Sequence, residues 1–331
     1  MRFFVTGSSN QLASHVLAGL SGAGHEVVYF ATWQTGFFPP PGVKVIHGEL
    51  EELPYLKSEI GYKEFDGVIC LNAHTEADAR GVLETFWKIG RSFVIASSCN
   101  VYRAHGRFHG TEMGDPDSGP LKEDSPLRGR ALRDGVIGDK RDIEKFFFEN
   151  KGATTVLRLP PLYGVEDERF RFLPLMRRIL DGRKEIPLGE SQANWKWTHG
   201  YIGDVAHAFV LAAENPSETK RIYNVGERNT PSIVERIVHI GTILDWQGEV
   251  VLADDRDLAP HLRLPGDFSQ DWVYDTAKIR NELKYRERTD YYEGLEWAVR
   301  WYADNRPEEV VGIDYSYAVE DDFLDEVRVG V

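Results

Sequence analysis

The chain has 331 residues, of which 42% are hydrophobic, and its 53 acidic side chains outnumber its 39 basic ones to give a net charge of −14. This composition describes a globular protein of one large or two modest domains and excludes a disordered chain. The acidic balance without a basic run argues against nucleic-acid binding. No apolar stretch reaches the roughly 18 residues of a membrane span, and the N-terminus runs directly into a strand, so we expect a cytoplasmic protein that does not associate with membranes. Two cysteines and the lack of paired histidine motifs predict no metal site.

The first 160 residues alternate apolar strands with helices. Residues 2–7 are predicted to form a strand, and the helix after it has leucine and valine at helical spacing. Four further β-branched runs predict strands, at 25–33, 43–50, 66–73 and 92–102. A helix is expected at 77–89. Continuous apolar strands with helices between them are typical of a parallel sheet covered on both faces, so we predict an α/β fold, a Rossmann-like doubly wound parallel sheet.

The second half has a looser, mixed pattern. Residues 104–133 are polar, glycine-rich and without periodicity, which predicts a long loop. The next helix is expected at 135–151, and its predicted apolar face consists of Val136, Ile143, Phe146 and Phe147. We expect three segments: a dinucleotide-binding domain at 1–160 to which 200–226 returns, a smaller mixed α/β substrate domain at 161–310, and an acidic tail at 311–331. The tail either extends into solvent or packs along the surface.

The first strand-to-helix turn has an eroded glycine pattern. A dinucleotide fold places glycines at its first, fourth and seventh positions, where this chain has Gly7, Asn10 and Ala13. Asparagine tolerates the left-handed conformation best among the other residues, and alanine still permits close helix packing. An ordinary turn capped by Ser8 or Ser9 is the alternative.

The end of the second strand has neither an acidic residue nor an arginine. It reads Ala31-Thr32-Trp33-Gln34, where a carboxylate would bind the adenosine ribose of NAD. Because no carboxylate repels a 2′-phosphate there, the sequence favours NADP(H) over NAD(H) without settling the choice.

Several segments in one order resemble the extended short-chain dehydrogenase/reductases, the NAD-dependent epimerase/dehydratase family. They are VTGSSNQLASHVL, HGELEEL, LNAH, SSCNVY, GDKRDIEKF, LRLPPLYG, YIGDVAHAF, YNVG and DTAKIRNELKY. The resemblance covers residues 1 to 305 and implies a nicotinamide cofactor together with a serine, a tyrosine and a lysine that carry out the chemistry.

Two of the three catalytic positions match the resembled family. They are Ser98 and Lys140, whereas Val136 stands where the family has its tyrosine, four residues before the lysine on one helix face. Valine cannot transfer a proton, so another donor is needed. The candidate donors are Tyr102, His105, His199 and Tyr201.

The resemblance also implies a set of ligand-contacting residues. Those expected at the cofactor are Gly7, Ser9, Asn10, Gln11, Leu12, Thr32, Glu49, Leu50, Asn72, Ala73, Lys140 and Pro161. Those expected at the substrate are His105, Trp195, Trp197 and Tyr201. The last three could form an aromatic wall for a ring or sugar.

Each of these candidates has a structural alternative. Tyr102 can simply pack, His105 can be exposed on its loop, and Ser98 can cap its own turn. Lys140 can form a solvated surface pair with Glu144 at i+4, and the tryptophans can pack between domains.

Two hypotheses follow from the sequence. The first is an atypical NAD(P)-dependent oxidoreductase or epimerase-like enzyme that acts on a small carbonyl or hydroxyl substrate, either sugar-nucleotide-like or aromatic. The second is a redox-silent lyase or isomerase, or a cofactor-sensing interaction protein, on the same fold. The helices near 77–89 and 136–150 suggest a homodimer, because such helices form the dimer interface in the resembled family.

Overall fold

A computed structural model describes residues 1–8, 11–32, 39–129, 138–167, 169–258, 262–263, 266–307 and 317–329. In chain order the strands are β1 Arg2–Ser8, β2 Glu26–Thr32, β3 Lys44–His47, β4 Gly67–Cys70, β5 Phe93–Ser98, β6 Thr154–Leu159, β7 Leu162–Tyr163, β8 Glu185–Gly189, β9 Gly200–Tyr201, β10 Arg221–Asn224 and β11 Glu249–Ala253. The helices are α1 Gln11–Gly22, α2 Lys57–Ile60, α3 Glu76–Phe86, α4 Arg103–Phe108, α5 Lys140–Asn150, α6 Leu173–Leu180, α7 Glu190–Asn194, α8 Ile202–Glu214, α9 Ile233–Ile243, α10 Ala277–Glu282, α11 Tyr291–Asp304 and α12 Tyr317–Val329. Two short 3₁₀ helices span Leu50–Tyr55 and Cys99–Val101.

Within the described residues, seven strands form one sheet in the order β10-β6-β5-β4-β1-β2-β3. All of its pairings are parallel. Alternate residues of β1 enter different cores: Phe3 and Val5 pack with α1 and α8, while Phe4 packs with α3 and α5. Because helices cover both faces, the strands are apolar on both sides. The predicted Rossmann-like doubly wound α/β fold is confirmed.

The second half of the chain forms smaller pieces around its own core. β7 pairs with β9, and β8 pairs with β11, each in parallel. Helices α6, α9 and α11 supply the apolar residues of this core. Leu295, Val299 and Tyr302 of α11 are fully buried, in agreement with the helical spacing of the sequence.

Two sequence predictions about regular structure are wrong. Residues 104–108, expected within a structureless loop, belong to α4, although residues 130–133 of that loop lie outside the described residues. The helix expected from residue 135 begins at Lys140, with Asp139 as its N-cap. Gly138 has a φ of 87°, which no right-handed helix accommodates.

The acidic end of the chain packs against the surface over the described residues 317–329. Glu320 is fully buried in an ion pair with Arg178, at 2.5 Å. Phe323 packs on Leu258 and Leu262. The packed alternative is therefore observed for α12. In the part of the chain that the structure describes, no helix is long and apolar enough to cross a membrane.

Candidate functional site

The carboxyl ends of β1, β4 and β5 lie side by side, because these strands are neighbours in the sheet. β1 and β4 are also joined by side chains at this edge: Thr6 Oγ1 donates to Asn72 Oδ1 at 2.8 Å, and both residues are buried. Asn72 and Ala73 follow β4, and Ser98 ends β5. Open α/β sheets bind ligands at this edge.

The glycine turn is tightly packed against α1. A Cβ on Gly7 would lie 3.1 Å from Ala13 Cβ and 3.3 Å from the Tyr29 hydroxyl. That hydroxyl donates to the carbonyl oxygens of Gly7 at 3.1 Å and Ser8 at 3.2 Å. The turn therefore has the close strand-to-helix approach that a dinucleotide fold requires.

The start of α1 faces this turn. Gln11 is half-buried and Leu12 is buried at the first two positions of the helix. Ser9 and Asn10, which complete the predicted pyrophosphate turn, lie outside the described residues. The twelve residues of α1 give its N-terminus the partial positive charge that favours a phosphate.

The adenosine side of the predicted site follows β2 and β3. Thr32 is half-buried at the end of β2, and Trp33 and Gln34 lie outside the described residues. Glu49 is exposed, and its backbone N–H donates to the Glu52 carboxylate at 2.8 Å. Leu50 is buried in the core under α3. Leu50 therefore contributes apolar packing and no side-chain hydrogen bond.

Lys140 spans the gap between β4 and β5. Its ammonium donates to the carbonyl oxygens of Ala73 at 2.5 Å and Ala96 at 3.3 Å. Burial lowers the pKa of this ammonium. The alternative of a surface pair with Glu144 is wrong, because that carboxylate is buried and pairs with Arg158.

Gly138 holds the chain close to the turn after β4. A Cβ at this position would lie 1.7 Å from the carbonyl oxygen of His74, and the φ of 87° excludes most other residues. Val136 itself lies outside the described residues. Since α5 begins at Lys140, the predicted continuous helix from residue 136 to the lysine is not present.

Ser98 is half-buried at the carboxyl end of β5. Its Oγ accepts a hydrogen bond from the backbone N–H of Asn100 at 3.2 Å, so it caps the short 3₁₀ helix that follows. The cap uses only a lone pair of Oγ, so the Ser98 hydroxyl can still donate its proton to another acceptor.

Tyr102 is fully buried in a polar network beneath the site. Its hydroxyl donates to Asn224 Oδ1 at 2.6 Å and accepts from Arg158 at 3.1 Å. The same guanidinium binds both carboxylate oxygens of Glu144, at 3.0 and 2.8 Å. Burial raises the pKa of Tyr102. This arrangement supports the packing alternative for Tyr102.

His105 is buried, so the expected exposure on a loop is wrong. Its Nε2 lies 2.7 Å from the Tyr274 hydroxyl, and its ring stacks on Trp272 with centroids 3.7 Å apart. Burial lowers the pKa of His105 well below its ordinary value. The sequence could not reveal this because Trp272 and Tyr274 lie far along the chain.

The predicted aromatic wall is divided between two clusters. Trp195 and Trp197 lie 5.6 Å apart, and Trp195 is buried with its Nε1 donating to the Gln270 carbonyl at 2.8 Å. Trp197 is partly exposed. Tyr201 contacts Tyr163 and the core of the second half instead.

Two further predicted residues flank the β7–β9 pair. Pro161 follows β6, and its carbonyl accepts from the Gly200 N–H at 3.0 Å. His199 is buried, its Nδ1 lies 2.7 Å from the Trp197 carbonyl, and burial lowers its pKa well below the ordinary value.

Sequence reasoning missed Gly138 and Tyr29, which shape this edge, and it also missed Arg171 in the loop after β7. Gly138 belongs to the segment GDKRDIEKF, so a glycine two residues before the lysine is a signal that was available. Tyr29 looked like an ordinary strand residue, and Arg171 lies in a loop without a recognisable pattern.

Comparisons with known proteins agree with this geometry. The model of the NAD dependent epimerase/dehydratase family matches residues 143–226. The uncharacterized protein YLL056C of Saccharomyces cerevisiae is 28% identical over 275 residues, which are 78% of this chain and 85% of the yeast protein. The uncharacterized protein C2A9.02 of Schizosaccharomyces pombe is 27% identical over 263 residues, or 74% of this chain and 81% of that protein.

The fold is also shared with solved epimerases. UDP-glucose 4-epimerase of Thermotoga maritima, solved with UDP-glucose, superposes with a TM-score of 0.68 at 18% identity over 92% of this chain and 99% of that one. UDP-glucose 4-epimerase of Thermus thermophilus, solved with NAD, has a TM-score of 0.66 at 19% identity over 93% of this chain and 100% of that one. These likenesses establish the fold.

Proposed function

We propose that this chain is an atypical NAD(P)-dependent oxidoreductase or epimerase-like enzyme. It has the extended short-chain dehydrogenase/reductase fold and matches the NAD-dependent epimerase/dehydratase family over residues 143–226. Its substrate is a small molecule with a carbonyl or hydroxyl group, either sugar-nucleotide-like or aromatic. The observation that carries the proposal is the Lys140 ammonium, which binds the carbonyl oxygens of Ala73 and Ala96 at the sheet edge where Ser98 ends β5.

The described residues fit a dinucleotide. The turn at Gly7 packs closely on Ala13 and Tyr29, and Asn72 is fixed by Thr6 at the same edge. The pyrophosphate would be held by the first turn, through Gly7, Ser9, Asn10, Gln11 and Leu12. The adenosine would be held by Thr32, Glu49 and Leu50. Asn72, Ala73, Lys140 and Pro161 would hold the nicotinamide side. The bound nicotinamide would accept or supply a hydride. We propose NADP(H) in preference to NAD(H), since no acidic residue stands at Ala31–Gln34.

Ser98 and Lys140 have separate tasks in this proposal. The Ser98 hydroxyl donates its free proton to the substrate oxygen and so orients it. Lys140 exchanges its carbonyl partners for the ribose hydroxyls, and its positive charge stabilises negative charge that develops nearby. Proton transfer falls to water or to the half-buried Tyr201, because the other candidate donors are buried and hydrogen-bonded: Tyr102, His105 and His199.

One observation favours the redox-silent alternative. The residue four before Lys140 is a valine, and a missing acid or base typically lowers a rate by about 10²- to 10⁴-fold. A lyase or isomerase without net hydride transfer, or a cofactor-sensing protein, needs no such group and could use the same edge.

We also propose a cytoplasmic homodimer formed through α3 and α5. A groove of about 540 Å³ lies beside these helices, with Tyr62 and Trp87 at its margin and Phe146 in its wall. Tyr62 is 79% and Trp87 51% exposed. Arg80, Glu84 and Lys88 give the groove both charges, which suits a self-complementary contact. A monomeric mass in solution would contradict this part of the proposal.

The enzymatic proposal is tested by hydride transfer. Purified protein is incubated with NADPH or NADH and a panel of aromatic and sugar carbonyls, and loss of reduced nicotinamide is followed. We expect slow turnover that Ser98→Ala lowers at least about tenfold, with Ser269→Ala on an exposed loop as the control. Turnover that is absent in the wild type but appears in Val136→Tyr would favour the redox-silent alternative.

A further inference from the structure

The loop between β7 and α6 contains Arg171, a half-buried arginine whose side chain has no hydrogen-bonded or ion-paired partner among the described residues. Its Nε is shielded from solvent. A cation withdrawn from water without an acceptor is unfavourable unless a ligand supplies one.

The other buried arginines of the described chain all have carboxylate partners. Five arginines are buried, and their pairs are Arg128–Asp139, Arg158–Glu144, Arg178–Glu320, Arg236–Glu227 and Arg280–Glu287. In a chain with 53 acidic side chains against 39 basic ones, an acid for Arg171 would be easy to provide. Arg171 has no hydrogen-bonded carboxylate, and this leaves its guanidinium available to an external anion.

The loop is built to hold this position. Asp167 accepts from the backbone N–H groups of Arg169 and Arg171, each at 3.1 Å, and from the Tyr302 hydroxyl at 2.7 Å. Glu166 and Phe170 adopt left-handed backbone conformations, with φ of 61° and 47°. Such strain persists only where the surroundings fix it and is concentrated at ligand sites. Asp167 therefore positions the loop and forms no ion pair with Arg171.

The loop that carries Arg171 lies next to His199, one of the candidate site residues of the sequence. The next residue, Phe172, has its ring 5.2 Å from His199 and 5.0 Å from Tyr163. Besides burial and Arg236, Arg171 lowers the pKa of His199. The pKa of His74 is lowered by burial, by Lys140 and by Arg169. The loop and the lysine therefore both act on the His74 imidazole.

We propose that Arg171, assisted by the exposed Arg169, binds an anionic group of the substrate, a carboxylate or a phosphate monoester. A planar guanidinium suits either group through paired N–H donors. This inference rests on the proposed function and names its substrate class: a small carbonyl or hydroxyl compound with one anionic group.

The test titrates the full chain with inorganic phosphate and with acetate at constant ionic strength, following tryptophan fluorescence and the thermal unfolding midpoint. We expect saturable binding of at least one anion, and the better probe identifies phosphate or carboxylate as the group. Arg171→Gln is expected to weaken this binding by about tenfold or more and Arg171→Lys less, because lysine keeps the charge but loses the fork. Arg169→Gln is expected to have a smaller effect.

The control is Arg300→Gln, an exposed arginine of α11 that pairs with Glu296. It should leave anion binding unchanged. Absence of saturable binding by the wild type would overturn the inference. So would Arg171→Gln binding the anion as tightly as the wild type, which is the result expected if the anion occupies the glycine turn instead. Cofactor titration of the same proteins is independent: cofactor binding without anion binding refutes only this inference, and anion binding without cofactor binding refutes the proposed function.

Discussion

The Glu144 carboxylate accepts two hydrogen bonds from the Arg158 guanidinium, at 3.0 and 2.8 Å, beneath the carboxyl edge of the sheet. Ser97 also donates to Glu144, at 2.5 Å. Glu144 lies one helical turn after Lys140, so this buried pair fixes the helix whose first residue reaches the site. The ion pair thereby couples the position of Lys140 to the core.

Removing one partner of this pair should be costly. Glu144→Gln leaves the Arg158 charge buried without compensation, and we expect a loss of about 3–5 kcal/mol in the free energy of unfolding, measured by urea denaturation. The matched control on the same helix is Glu149→Gln, whose carboxylate is exposed and 3.9 Å from Lys145. That variant should change stability by less than about 1 kcal/mol. Similar losses for both variants would contradict a special role for Glu144.

Tyr102 should prove structural and not catalytic. Tyr102→Phe deletes the hydroxyl that bridges Asn224 and Arg158 and should lower the unfolding free energy by about 1–3 kcal/mol. Turnover per folded molecule should stay within about twofold, because the buried hydroxyl cannot meet substrate. A fall in turnover near the roughly 10²-fold of a lost acid, at unchanged KM and stability, would restore the catalytic assignment.

Gly138 should be the least replaceable glycine at the site. In Gly138→Ala the new Cβ meets the His74 carbonyl oxygen, in addition to the strain of positive φ. We expect a loss of about 3 kcal/mol or more together with weaker cofactor binding. Gly110→Ala is the control, since its φ is 70° and nothing lies within 4 Å of the added atom. It should cost about 1–2 kcal/mol, and an equal effect in both would show that the contact with His74 is unimportant.

Deprotonation of Asp204 should lower the free energy of unfolding as pH rises through mildly acidic values. Burial raises the pKa of Asp204 from 3.8 to about 6. The folded state therefore binds the proton more tightly than the unfolded state, and this stabilisation is present below pH 3.8 and is lost as pH rises through 6. The change is on the order of 2–3 kcal/mol.

Asp204→Asn removes this dependence while retaining an acceptor for the Arg288 N–H, which lies 2.7 Å from Asp204 Oδ1. The stability of the variant relative to wild type should rise between about pH 4 and pH 7, as measured by urea denaturation at each pH. Parallel stability profiles for the two proteins would contradict a raised pKa.

The sequence was sufficient for the sheet but not for the surroundings of the site. Strands such as 2–8 are apolar throughout, and this local pattern identifies a sheet buried on both faces. The start of α5 was missed because it depends on Gly138 meeting His74, a contact more than 60 residues apart in the chain. The burial of His105 depends likewise on Trp272 and Tyr274. Such long-range pairs have no local signature.

The sequence likewise predicted the placement of some candidate site residues and not of others. Asn72 and Ser98 lie at one edge because parallel strands end together, a rule that needs only the strand order. Lys140 begins a helix, and the family resemblance, not this rule, predicted it as a site residue. The separation of Tyr201 from the two tryptophans depends on how the second half packs, which alternation along one segment cannot specify.

The most direct test of the account is a titration of the purified protein with NADPH, NADH, NADP⁺ and NAD⁺, following tryptophan fluorescence and the emission of the reduced nicotinamide. We expect saturable binding of one pair in the micromolar range, NADP(H) before NAD(H). Lys140→Met should weaken it at least about tenfold, whereas Lys145→Met, on an exposed position of the same helix, should not. If folded wild-type protein binds none of the four, or if Lys140→Met binds as well as wild type, the assignment of this sheet edge to a nicotinamide cofactor is wrong.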